Sequence, residues 1–234
     1  MARLWRGGTA LVWAGLVLWG GWWLLSHPLP DHWNPLTPLD VAAPVTPLTG
    51  LKLRAALRST EACFAALDGQ ARLTRMAPLR ESATCFIDPR LRLDRAGRAD
   101  LVPVETTCAI ALRLTMWEHH VLQPAAETAF GQGIAALHHQ SSYNCRPIRM
   151  TGGAGTRMSS HATAEAIDIR GVVLADGQRV DLLGNWGGST PEAEFYRAAR
   201  DGACRWFSTV LGPEFNRLHA DHFHLQSTGW GTCR

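Results

Sequence analysis

Two short clusters near the C-terminus hold residue types that can do chemistry. One runs Ser159-Ser160-His161-Ala162-Thr163-Ala164-Glu165-Ala166-Ile167-Asp168, and the other is His219-Ala220-Asp221-His222-Phe223-His224. Two imidazoles and one carboxylate form a common ligand set for a catalytic zinc, with a fourth position left open for water. Were both clusters to meet at one metal, the chemistry would be hydrolysis by activated water.

The spacing sets conditions on that meeting. His161 lies in a Ser/Thr/Ala-rich, turn-like stretch, whereas Asp168 sits between Ile167 and Ile169 in an apolar strand. Seven residues of straight strand would hold the two too far apart for one metal, so the chain must loop back between them. An aspartate in an apolar strand is costly without a partner. That partner could be a metal, but backbone donors or an arginine would also serve. In a strand, His222 and His224 point to one face and Asp221 to the other, while His219 precedes the strand and can swing in. A lone His-x-His pair is often a coincidence of surface or core. The adjacent pairs His119/His120 and His138/His139 cannot face one site together and are set aside. Trp206 reads as core, and Trp186 as core or a substrate platform.

The elements that must position these residues begin after residue 50. Arg3 and Arg6 precede an uncharged apolar run over 9–25, just long enough to span a bilayer as a helix, with Trp19, Trp22 and Trp23 at its far end. No small-residue cleavage site follows, which favours an uncleaved signal anchor over a cleaved signal peptide. Residues 1–8 are then a cytoplasmic stub and 9–25 a transmembrane anchor. Residues 26–50 form a proline-rich, semi-extended linker that holds the rest off the membrane. Residues 51–234 form one exported domain, large enough for its own core.

Cysteine use agrees with export. Cys63, Cys85, Cys108, Cys145, Cys204 and Cys233 all lie in the exported part, with no C-x-x-C spacing, and read as three disulfides rather than a thiolate metal site. Easy closure of short loops favours the sequential pairing Cys63–Cys85, Cys108–Cys145 and Cys204–Cys233. The net charge of +3 and the scattered arginines exclude a nucleic-acid stripe.

Periodicity predicts a helix over 51–67, irregular chain over 75–104 with short strands near 85–87 and 101–102, and one or two helices over 107–130 with Pro124 opening the second. A strand is expected at 134–137, a hairpin over 165–183 turning at Ala175-Asp176-Gly177, a helix over 191–211, and a strand at 222–226. Helices followed by a small antiparallel sheet make an α+β domain.

The pattern His161-x6-Asp168 with His222-Phe223-His224 resembles the LAS zinc peptidases, the group of lysostaphin, D-alanyl-D-alanine carboxypeptidases and sonic hedgehog. Their carboxypeptidase branch carries SxHxxGxAxD; here Ser159, His161, Ala166 and Asp168 match and Ala164 replaces the Gly. Residues 51–234 are more closely similar to bacterial extensin-like C-terminal domain proteins. That similarity lies in Tyr143-Asn144-Cys145-Arg146, Ser160-His161-Ala162-Thr163-Ala164, Asp201-Gly202-Ala203-Cys204-Arg205-Trp206-Phe207 and the His219–His224 string.

The resemblance implies one zinc ion held by His161, Asp168 and His224 in a hedgehog-type fold. It offers Asp221 and His222 as alternative proton shuttles, with His219 completing an HxxHxH spacing. Arg146 and Arg157 can pair with a substrate carboxylate, and Ser159 lies beside them as a further contact. The expected activity is hydrolysis of peptidoglycan amide bonds in the bacterial periplasm, from an inner-membrane anchor. The alternative is a non-catalytic zinc module that binds peptidoglycan or a protein partner.

Overall fold

The computed structural model describes the backbone of residues 2–27, 29–150 and 153–234, with the side chains of 12–23, 26–27, 29–149, 153 and 155–234. Helix α1 spans Ala2–Ser26. Its described side chains from Val12 to Trp23 are largely apolar and exposed, among them Val12, Trp13, Leu16, Val17, Leu18, Trp19 and Trp22. Among the described residues, no helix is long and apolar enough to cross a membrane. The side chains of Arg3 and Arg6, on which the orientation of an anchor depends, lie outside the described residues.

The proline-rich segment is not a spacer. From Asp31 onward it folds onto the domain, and Leu39 and Val41 enter the core. The buried Lys52 side chain donates to the Asp31 carbonyl (2.5 Å) and to Thr37 Oγ1 (2.7 Å). Thr46 Oγ1 donates to the His32 carbonyl (3.0 Å), and His120 Nε2 meets the Val41 carbonyl at 2.8 Å. Proline rules out a helix here, but it does not prevent packing once backbone carbonyls find donors.

The expected helix over 51–67 is two. Helix α2 covers Thr49–Ala56 and α3 covers Thr60–Leu67, with Ser59 capping α3 by accepting from the Ala62 amide. The region expected to be irregular is instead sheet. Strand β1 is Ala71–Met76, β2 Leu79–Arg80, β3 Phe86–Ile87, β4 Arg90–Ala96 and β5 Ala99–Thr107. Arginines alternating with leucines give β4 a wet face and a dry face, a period obscured by their length and charge. Its turn into β5 needs Gly97 (φ 58°), where a Cβ would lie 1.7 Å from Glu118 Oε2.

Helix α4, Cys108–Trp117, is buried almost all round and is capped by Thr107. It continues through a π-helical turn, Glu118–Leu122, into α5, Gln123–Phe130, where Pro124 sits in the first turn as expected. Strand β6 is Ile134–His139, β7 Pro147–Met150, β8 Gly153–Met158, β9 Ala166–Leu174 and β10 Arg179–Asp181. The predicted hairpin is β9–β10. Helix α6, Pro191–Trp206, begins where expected but ends five residues early. Thr209–Leu211 forms β11, which pairs with β12, Phe223–Gln226. The β-branched Thr209 and Val210 suit that ladder better than a helix.

The fold is therefore α+β, but its sheet is neither small nor wholly antiparallel. Eight strands form one mixed sheet in the order β1-β4-β5-β6-β9-β12-β11, with β10 on β9 and with β5 and β6 parallel. The core lies between this sheet and α3, α4 and α6, around Trp117, Trp206 and Phe195. The three disulfides form, but only Cys204–Cys233 is sequential; the others are Cys63–Cys108 and Cys85–Cys145. The first joins α3 to the start of α4, and the second ties the β2–β3 arm to the segment before the His161 turn. Tertiary packing chose these partners over shorter loops.

Candidate metal centre

Strands β9 and β12 run antiparallel, β12 one strand in from the β11 edge of the sheet, with His224 directly opposite Asp168. This register alone brings a carboxylate and an imidazole together: His224 Nδ1 lies 3.0 Å from Asp168 Oδ1. His161 arrives from a single 3-10 turn, Ser160–Thr163, that precedes β9. The chain reverses at Ala164, which adopts left-handed angles (φ 50°, ψ 29°), and enters β9 at Ala166. That reversal is the required loop back, and it sets His161 Nε2 3.2 Å from Asp168 Oδ1 and 3.1 Å from His224 Nδ1. A tetrahedral ion with bonds of about 2.0–2.1 Å has edges of about 3.3 Å. The three atoms thus match one face of such a tetrahedron to within a few tenths of an ångström.

The turn is fixed from behind by a buried hydroxyl network. Thr106 Oγ1 and Ser142 Oγ are 2.7 Å apart, Ser142 Oγ donates to the Ala166 carbonyl (2.6 Å), and Thr107 Oγ1 donates to the Ala164 carbonyl (3.3 Å). The Asn144 amide donates to the His161 carbonyl (2.9 Å).

The outer nitrogens decide the tautomers. His161 Nδ1 lies 2.7 Å from the Ser142 carbonyl, an obligate acceptor, so Nδ1 carries the proton and Nε2 presents a lone pair inward. His224 Nε2 faces Gln226 Oε1 at 3.3 Å, and Gln226 is oriented by donating from Nε2 to Thr228 Oγ1 (3.1 Å). His224 therefore also directs a lone pair, on Nδ1, at Asp168. All three residues are buried. Three donor atoms within 3.0–3.2 Å of one another in a buried place could together hold a cation. The donor set, two imidazoles and one carboxylate, suits zinc. Among the described residues these three form the one such group.

Next to this triad stands His222. Its Nε2 is 3.7 Å from Asp168 Oδ1, on the same face as His224, as strand alternation predicts. The Asp221 carboxylate is behind it, with Oδ1 2.9 Å from His222 Nδ1 and Oδ2 receiving Arg170 (2.7 Å). Burial would raise Asp221, but His222 and Arg170 together hold it below the ordinary range. Both Asp221 oxygens are thus engaged, one by His222 and the other by Arg170. His219 packs against His222 and His224 with ring centroids 5.3 and 5.9 Å away, and its Nδ1 meets Asn216 Oδ1 at 2.7 Å. Burial, then the neighbouring imidazoles, push His219 down to about 4, so it is neutral at ordinary pH.

A groove of about 720 Å³ opens over these residues, bordered by Phe86, Phe215, Arg146, Arg149 and Arg157. Arg146 is half-buried, and its Nε has no partner among the described residues. Ser159 has a different role from the expected substrate contact: its hydroxyl accepts the His161 amide (3.3 Å) and caps the turn. The set-aside histidines are engaged elsewhere. His120 contacts the Val41 carbonyl, His138 pairs with Asp181, and His139 meets the Val102 carbonyl. Trp206 is core, and Trp186 packs edge-on against Phe223. Three contributors lay outside the sequence reading. Ser142 acts through distant pairing, whereas Arg170 and Gln226 were discoverable as the next residues on the Asp168 face of β9 and the His224 face of β12.

The model of the family described as extensin-like protein C-terminus matches residues 61–234. No curated protein and no solved structure matches the chain.

Proposed function

The chain belongs to the extensin-like protein C-terminus family, and from that premise we propose that it is a zinc-dependent peptidase of the LAS type, acting on peptidoglycan peptides. The observation that carries the metal reading is the convergence of His161 Nε2, His224 Nδ1 and Asp168 Oδ1, with both outer imidazole nitrogens already facing acceptors. Zinc held by these three residues would supply Lewis-acid polarisation of an amide carbonyl and water activated near neutral pH.

The protein's own groups divide the remaining work. His222 Nε2 takes the proton of the attacking water and returns it to the leaving amine. Asp221, braced by Arg170, keeps His222 Nδ1 protonated so that Nε2 is free to accept. His219, neutral and walled in by its neighbours, keeps that side of the site dry. The arginines along the groove give an anionic peptide a charged rim to bind. The substrate class rests on the likeness of the His161–Asp168 and His219–His224 strings to murein peptidases.

The apolar, exposed side chains of α1 support an anchoring role in the inner membrane, with the domain in the periplasm. The disulfides fit that oxidising compartment.

The test is product analysis by mass spectrometry after the zinc-loaded full chain meets a panel of cross-linked muropeptides. The proposal expects new amine and carboxyl termini with wild type and none with His222→Ala. A zinc-bearing wild type that cleaves nothing yet sediments with peptidoglycan would replace the enzyme with the binding module.

A further inference from the structure

A second large concavity, about 810 Å³, lies away from the metal centre between the hook at 35–39 and helices α2 and α3. Its walls are mainly Leu, Pro and Ala, and the charged residues lining it, Lys52, Arg54 and Arg58, are all basic. Lys52 is occupied in tying down the hook. Arg54 and Arg58 are exposed, and neither forms a salt bridge among the described residues. Leu36 is 90% exposed and Leu51 55%. Leu29 and Trp33, earlier in the chain, are also partly exposed apolar side chains.

The hook fixes where this surface must be. Asp31 is bonded to Lys52, and α1 ends at Ser26, so at most about 18 Å of chain joins the helix to the domain. A domain on so short a lead cannot stand off from whatever holds α1. We propose that this groove and its arginine rim rest on the surface of an anionic bilayer, the apolar side chains in the headgroup and upper acyl layer and Arg54 and Arg58 against lipid phosphates. Basic residues beside apolar ones suit that interface, and the absence of an acidic side chain in the lining removes a repulsive term. This inference rests on the reading of α1 as a membrane anchor. It makes the domain a surface-seated body rather than a tethered one.

The experiment uses the full chain reconstituted in vesicles of phosphatidylethanolamine with phosphatidylglycerol, or with phosphatidylcholine in its place. All six native cysteines are in disulfides, so Leu36→Cys offers one thiol for an environment-sensitive fluorophore, with Trp230→Cys as the solvent-exposed control. In anionic vesicles the label at 36 should be quenched by headgroup-level nitroxide lipids. It should also be several-fold less open to iodide than the control. Adding Arg54→Glu and Arg58→Glu should restore iodide access. A chain that resists alkaline extraction yet leaves the label as open as the control overturns the proposal and spares the anchor. Release by alkali overturns the anchor and this inference with it. Shielding that appears in detergent and grows with protein concentration assigns the face to a second copy instead.

Discussion

His161 Nε2 and His224 Nδ1 lie 3.1 Å apart across the Asp168 carboxylate, and each ring's far nitrogen faces an acceptor, the Ser142 carbonyl in one case and Gln226 Oε1 in the other. Two neutral imidazoles arranged in this way repel one another through their lone pairs. A cation between them would relieve that repulsion, which is the ground for the metal reading proposed above.

The Arg170–Asp221–His222 chain should separate metal binding from turnover. His222→Ala should keep its metal and lose about 10²–10⁴-fold in kcat. Asp221→Asn should also keep the metal but fall less far, since His222 remains with its tautomer unfixed. Metal analysis and steady-state kinetics on both variants check this. An Asp221→Asn enzyme slower than His222→Ala would reverse the two roles.

Ala164 holds left-handed angles that cost an L-residue about 1–2 kcal/mol, and glycine adopts them freely. Part of that gain is lost to the greater freedom of glycine in the unfolded chain. Ala164→Gly should therefore stabilise the protein by about 0.5–1 kcal/mol without altering metal content, as read from urea unfolding. Destabilisation would mean that the buried Ala164 methyl contributes more packing than the backbone loses.

The Cys85–Cys145 disulfide anchors the segment that carries the Ser142 carbonyl and the Asn144 amide, both bonded to His161. Replacing both cysteines with alanine should cost about 2–4 kcal/mol. It should also weaken metal binding by about 10–100-fold, the effect usual for losing an outer partner of a ligand. Competition with a chromogenic chelator measures the second effect, which the equivalent Cys204–Cys233 variant should not show.

Glu118 is fully buried, with Oε1 accepting from the Arg98 amide and Gln123 and with Oε2 unpartnered among the described residues. Burial raises its carboxyl above the usual value. A raised folded-state value means that the protonated form is favoured by folding. Its contribution is therefore full below the unfolded value of about 4.3 and is lost as pH rises towards the folded one. Glu118→Gln keeps the Oε1 acceptor and removes the ionisation. Its stability relative to wild type should rise across that window, as measured by thermal melts from pH 4 to pH 7. A constant difference would contradict the assignment.

Much of the site was legible because its spacing is chemical. His161, Asp168 and His224 stand where the motif puts them, and alternation on β12 correctly placed His222 beside the triad. The fold was less open to reading. The Arg/Leu alternation of β4 conceals a buried strand, and nothing local distinguishes Cys108 from Cys85 as the partner of Cys63. The proline-rich segment looks like a tether by composition, yet one buried lysine and a few backbone carbonyls fold it onto the domain. Ser142 gains its role only from three-dimensional pairing.

The most direct test of the central claim is the metal content of the purified full chain, by inductively coupled plasma mass spectrometry, beside His161→Ala and Asp168→Ala. The account predicts close to one zinc per wild-type chain after zinc loading and dialysis, and little in either variant, with all three proteins retaining their disulfides. A folded wild type that remains metal-free after loading, or a His161→Ala variant that holds zinc as well as wild type, would contradict it.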